Sequence, residues 1–190
     1  GDWSSDVCSS DLLSIFGYVV LFAPLALAFF FGPAVNRLSV NGGRALFAVY
    51  SALMGMSLSS IFLAYTDASI ARTFFITAGT FAGVSIWGYT TKRDLTGMGH
   101  FLMMGLIGLV IASVVNIFMA SSAVYFATSV IGVLIFTGLT AWDTQKLKEA
   151  YSEGYGHEAN SKLATMGALT LYLDFVNLFL YLLRFLGNRE

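Results

Sequence analysis

The chain has 190 residues, of which 57% are hydrophobic and 11% charged, with a formal net charge of -1. Ordinary soluble domains carry roughly 25% charged residues, and a mean hydropathy of +0.75 belongs to a chain embedded in a bilayer. That balance excludes a basic nucleic-acid surface and an acidic tail, while the single cysteine, Cys8, excludes an intrachain disulfide framework or a thiolate metal cluster.

Residues 1–12 differ sharply from the rest of the chain. They hold three aspartates, four serines and Cys8, then stop at an uninterrupted apolar run. They have no initiating methionine, positive n-region or small-residue cleavage site, so they do not read as a signal peptide. Asp2–Leu12 resembles the read-through translation of a sequencing-adapter oligonucleotide. The expectation is a non-native or disordered leader over 1–12 and one transmembrane helical domain over 13–190, with Cys8 an artefact of the leader.

A helix needs about 20 mostly apolar residues to cross the hydrocarbon core. In chain order the segments 12–34, 45–65 and 73–91 carry no charge, and 101–142 carries none over twice a span, with Ala120-Ser121-Ser122 the natural place to turn. That places helices near 99–119 and 123–145. A last span runs from Leu163 to about Leu186, interrupted by Asp174 and closed by Arg184. Backbone in lipid must satisfy its own hydrogen bonds, so all six are read as helices of an all-α, polytopic membrane bundle. Pro24 falls mid-helix in the first and predicts a kink.

Loops one, three and five contain Arg37, Arg44, Lys92, Arg93, Lys146, Lys148 and Lys162; the opposite side has Arg72, Arg184 and Arg189. This bias predicts that loops one, three and five face the cytoplasm and both ends face outward. A further helix before residue 12 would remove the awkwardness of an outward N-terminus. Small residues at Ser51, Gly55 and Ser59, and at Gly79 and Gly83, predict packing seams on the second and third helices.

The chain contains no Walker lysine loop, dinucleotide-binding glycine run or His-Glu-x-x-His. Gly97-Met98-Gly99-His100 reads as a turn entering a helix, and His100 and His157 share no helix face, which argues against a nitrogen-ligated metal. No nucleophile has a base at a readable spacing, so an enzyme is the weakest reading. Two acids stand out. Asp174 lies near mid-span, where an aspartate costs about 2.5–3.5 kcal/mol on insertion scales. Stepping by threes and fours along its helix collects Gly167, Thr170, Asn177, Tyr181 and Arg184, a polar stripe that should face the bundle interior. Its alternative reading is a structural seam satisfied by neighbouring hydroxyls. Asp143 closes the preceding helix on a face with Ser129, Gly132, Phe136 and Thr140. Counting from the charged ends puts Asp143 shallower than Asp174 by a turn or more, so spacing alone does not bring the two together.

The stretch from Ala168 through Asp174, Asn177 and Arg184 to Leu186 resembles the last helix of the Bax inhibitor family of membrane proteins. Gly138-Leu-Thr-Ala-Trp-Asp143-Thr-Gln-Lys and Gly88-Tyr-Thr-Thr-Lys-Arg-Asp94-Leu resemble the family's two other recognisable segments, and the likeness covers residues 13–190 and is closest to the bacterial branch. The resemblance implies a seven-helix fold, of which this chain would lack the first helix, and a multi-pass protein of the cell inner membrane. It also implies a pH-sensitive calcium leak in which Asp143 and Asp174 form a proton-sharing pair. A basic residue that holds the pore closed is implied too, and Arg37 is the nearest candidate gating cation. Family members are further described as suppressors of cell death and as modulators of a membrane protease.

The chemistry suits that implication. Two carboxylates a few ångströms apart in low dielectric cannot both ionise cheaply, so they share a proton and titrate as a unit. Ionised, Asp143 and Asp174 would form a weak site for calcium, a hard cation wanting oxygen ligands, with Thr140, Thr170, Asn177 and backbone carbonyls as supplements, and Tyr181 completing the supporting polar stripe. Weak binding is what conduction needs. The expected partners are therefore the lipid bilayer, Ca2+ as permeant ion and H+, with no cofactor and no nucleic acid. The competing reading is a non-conducting regulator of a membrane protease or of a cell-death or stress response, and a third is proton-coupled antiport.

Overall fold

In the computed structural model, residues 30, 31, 33–151 and 156–187 are described. The leader, Cys8, Pro24 and most of the first expected span lie outside them. Helical backbone at 30–31 and 33–37 (α1) is followed by α2 (Val40–Leu58), a 3-10 turn (Ser59–Leu63), α3 (Asp67–Thr90), α4 (Thr96–Met119), α5 (Ser122–Ala150) and α6 (His157–Leu186). Every regular element among the described residues is helical, as the all-α membrane bundle requires.

The described chain divides into two compact units, with the boundary after Ile61. In the first, Phe31 meets Tyr50 edge-on at 6.1 Å between ring centroids. Helix α2 starts at Val40 because Ser39 caps it, its hydroxyl accepting from the Gly42 amide at 3.3 Å. The span expected at 45–65 is divided: α2 stops at Leu58 and a tighter 3-10 turn continues to Leu63. The Ser59 hydroxyl donates to the Met56 carbonyl at 2.7 Å, a local bond that competes with the helical ladder where the turn tightens.

In the second unit, α3, α4, α5 and α6 are each long and apolar enough to cross a membrane. Their outward faces carry Phe75, Ile107, Ile117, Phe118 and Leu134 exposed, with Phe118 at 85%, a surface suited to lipid and not to water. Thr66 caps α3 and Ser121 caps α5. The turn expected at Ala120-Ser121-Ser122 is present: Ala120 takes the left-handed region at φ 48°, and the Asn116 side chain accepts the Ser121 amide at 3.0 Å. At the head of α4, the Asp94 carboxylate accepts the Thr96 amide at 2.9 Å. The Thr96 side chain also bonds it, and together they hold the Asp94 carboxyl below the usual carboxylate range.

Helix α5 is the centre of this unit, packed against α3, α4 and α6. Its apolar core is Leu109, Ile135, Phe136, Leu139, Leu178 and Leu182. Close approach is made possible by glycines other than the expected pair: a Cβ at Gly79 or Gly83 would meet nothing within 4 Å, whereas one at Gly88 would run into the Ala141 backbone and one at Gly132 into the Tyr181 ring. Helical spacing aligns small residues along a helix but does not say which face receives a partner.

Candidate functional site

Asp143 sits two turns before the end of α5, and Asp174 is in the middle of α6. The register of this antiparallel pair is set by its packing. Leu147 fills the space above Gly167, and Tyr181 lies against Gly132 and stacks on Phe136 at 5.7 Å. The same register brings the Asp143 and Asp174 side chains together as neighbours between the two helices. Leu147 over Gly167 puts Leu171 level with Asp143, so Asp174 stays about one turn deeper, as counting from the charged ends predicts, and the two side chains lean toward each other across that offset. Helix α5 continues to Ala150, and α6 begins at His157, its polar first turns held by a Lys162–Glu158 ion pair at 2.9 Å.

Asp174 is 5% exposed, and its Oδ2 is buried without a hydrogen-bond partner. Among the described residues neither carboxylate has a cation within ion-pair distance. The polar stripe does not neutralise the pair, because its members are satisfied locally. Thr140 donates to the Phe136 carbonyl at 2.7 Å, Thr170 to Met166 at 3.2 Å and the Asn177 amide to Leu173 at 2.8 Å. Each of these side-chain oxygens keeps acceptor capacity. Tyr181 is half-buried, and Arg184 covers its ring at 5.4 Å and the Tyr125 ring at 5.5 Å. Arg37 belongs to the other unit, exposed at the end of α1.

A cleft of about 190 Å3 opens between α5 and α6 and reaches Asp143, with Lys146, Leu147, Met166, Gly167 and Thr170 among its walls. Groups of three or more His, Cys, Asp or Glu residues able to hold a metal are absent among the described residues. The pair offers at most four carboxylate oxygens, fewer than the six to eight oxygen ligands that enclose a calcium ion.

Residues that spacing did not single out fix the end of α5. Gln145, 5% exposed, donates to the Arg93 carbonyl at 2.8 Å and accepts the Leu95 amide at 2.9 Å. Lys148 donates to the Tyr89 carbonyl at 2.8 Å. These contacts, with Gly88 against Ala141, tie the α3–α4 connection to the turns on either side of Asp143. The only signal in the sequence was an uncharged glutamine within a lysine-rich segment. Gly99, read as part of a turn, lies inside α4 and leaves room for the Trp142 ring.

The family described as "Inhibitor of apoptosis-promoting Bax1" matches residues 4–190. A protein of Rickettsia prowazekii is 55% identical over 175 residues, 92% of this chain and 74% of that one. One from Caulobacter vibrioides is 53% identical over 174 residues, 90% and 70% of the two chains. Inner membrane protein YbhL of Escherichia coli is 51% identical over 173 residues, 90% and 74%. With four membrane-length helices, an interior aspartate pair and these likenesses, the chain belongs to the Bax inhibitor family as a multi-pass inner membrane protein.

Proposed function

We propose that this protein is a calcium leak of the inner membrane, gated by a proton shared between Asp143 and Asp174. The observation that carries this reading is the approach of two carboxylates inside the bundle, neither in ion-pair contact with a cation among the described residues. Such a pair is costly to ionise fully in low dielectric, so holding a proton and holding a divalent cation are alternatives at one place. The cleft at Asp143 supplies a route from the basic end of the bundle, and Thr140, Thr170 and Asn177 supply oxygens on either side. Calcium and protons are thus the proposed partners, calcium passing as cargo.

The family description names inhibition of an apoptosis-promoting protein, which favours a second reading: a non-conducting regulator that docks on another membrane protein. Purified protein in liposomes loaded with a calcium indicator separates the two. A leak gives calcium entry that changes steeply over a narrow pH window. A regulator alone leaves the vesicles impermeant at every pH.

A further inference from the structure

Lys146 carries the uncommitted charge in the cleft. Asp143 and Lys146 are the two charged residues among its walls, one helical turn apart on α5, so their head groups share a face. The other lysines nearby are engaged: Lys148 donates to the Tyr89 carbonyl, and Lys162 pairs with Glu158. Lys146 has no carboxylate within ion-pair distance among the described residues. Its ammonium stands 5.1 Å from the centre of the Trp142 ring, and that ring is seated against Gly99 of α4. The aromatic face offers the ammonium a resting place beside the cleft without neutralising it.

We propose that Lys146 is a tethered counter-cation that competes with the permeant divalent cation for the carboxylate of Asp143, and so sets the affinity of the cleft for calcium. This deepens the calcium-leak reading and rests on it for the identity of the ion. An ammonium on a flexible four-carbon stem can move between the Trp142 face and Asp143. A calcium ion entering the cleft meets that positive charge first and must displace it. The arrangement keeps occupancy weak, and the tether prevents the competitor from being washed out as a soluble ion would be.

The test uses the full chain purified in detergent, at fixed pH and ionic strength. A hydrophobic carbodiimide labels the Asp143 carboxyl, peptide mass spectrometry reads the label, and added calcium chloride protects against it. Lys146→Met keeps the stem and removes the charge. It should lower the calcium concentration for half-protection roughly three- to tenfold, the effect of one nearby unit charge in a partly hydrated cleft. Lys146→Arg retains the charge and should stay close to wild type. Lys92→Met removes the same charge from a loop position outside the cleft and should leave protection unchanged. Equal midpoints for wild type and Lys146→Met, or an equal shift in Lys92→Met, would overturn the role of Lys146 while leaving the calcium reading intact. Absence of calcium protection in the wild type would overturn both.

Discussion

At Gly88 an added Cβ would meet the Ala141 carbonyl, which is backbone and cannot swing aside; at Gly83 it would meet open space. Gly88→Ala should therefore force α3 away from α5 two residues from Asp143. It is expected to cost about 1–3 kcal/mol, the usual size of overpacking. Gly83→Ala should stay within about 0.5 kcal/mol of wild type. Thermal unfolding of the two variants in detergent measures the contrast, and equal stabilities would contradict the close packing of α3 on α5. The acids were legible as residues, because an aspartate in mid-span demands an explanation that composition alone supplies. The glycines that matter were not, since the contact that makes Gly88 irreplaceable comes from a helix 53 positions further along the chain.

Among the elements, four of the apolar runs were readable almost to their ends: the expected 73–91, 99–119, 123–145 and 163–186 lie within α3 to α6, apart from a single residue at Thr91. The polar extensions were not legible, because hydropathy falls silent outside the hydrocarbon and short-range hydrogen bonds take over. The head of α4 is one such extension and makes a pH prediction. The Asp94 carboxyl is held below its ordinary value by Thr96, so its contribution is complete above the unfolded carboxylate value of about 4. That contribution is lost as the pH falls through the lower folded value, when the protonated acid no longer accepts as strongly from the helix N-terminus. Hydrogen exchange at the Thr96 amide, corrected for intrinsic rates, should accelerate as the pH drops below about 4. Asp94→Ala should show the faster exchange at neutral pH as well. Exchange in the wild type that is indifferent to acid would contradict the Asp94 carboxylate as the acceptor of the Thr96 amide.

For the whole molecule, fold class and membrane residence follow from composition and run length, whereas the meeting of Asp143 with Asp174 depends on a helix register that no single segment encodes. Leu147 over Gly167 and Tyr181 over Gly132 set it. A one-residue change in that register would turn Asp174 about 100° away from its partner. The four described spans thus build a bundle whose interior carboxylates, among the described residues, are one pair of acids, with a cleft that reaches Asp143. The most direct test is calcium flux into liposomes as a function of pH for wild type, Asp143→Asn, Asp174→Asn and the double variant. Asparagine keeps the shape and most of the hydrogen-bonding capacity but cannot titrate. The expected result is a steep pH dependence in the wild type, its loss in either single variant, and little further change in the double variant, because the two acids act as one unit. Two single variants that fold and retain the wild-type pH profile would contradict the shared-proton switch, even if calcium still crossed the membrane.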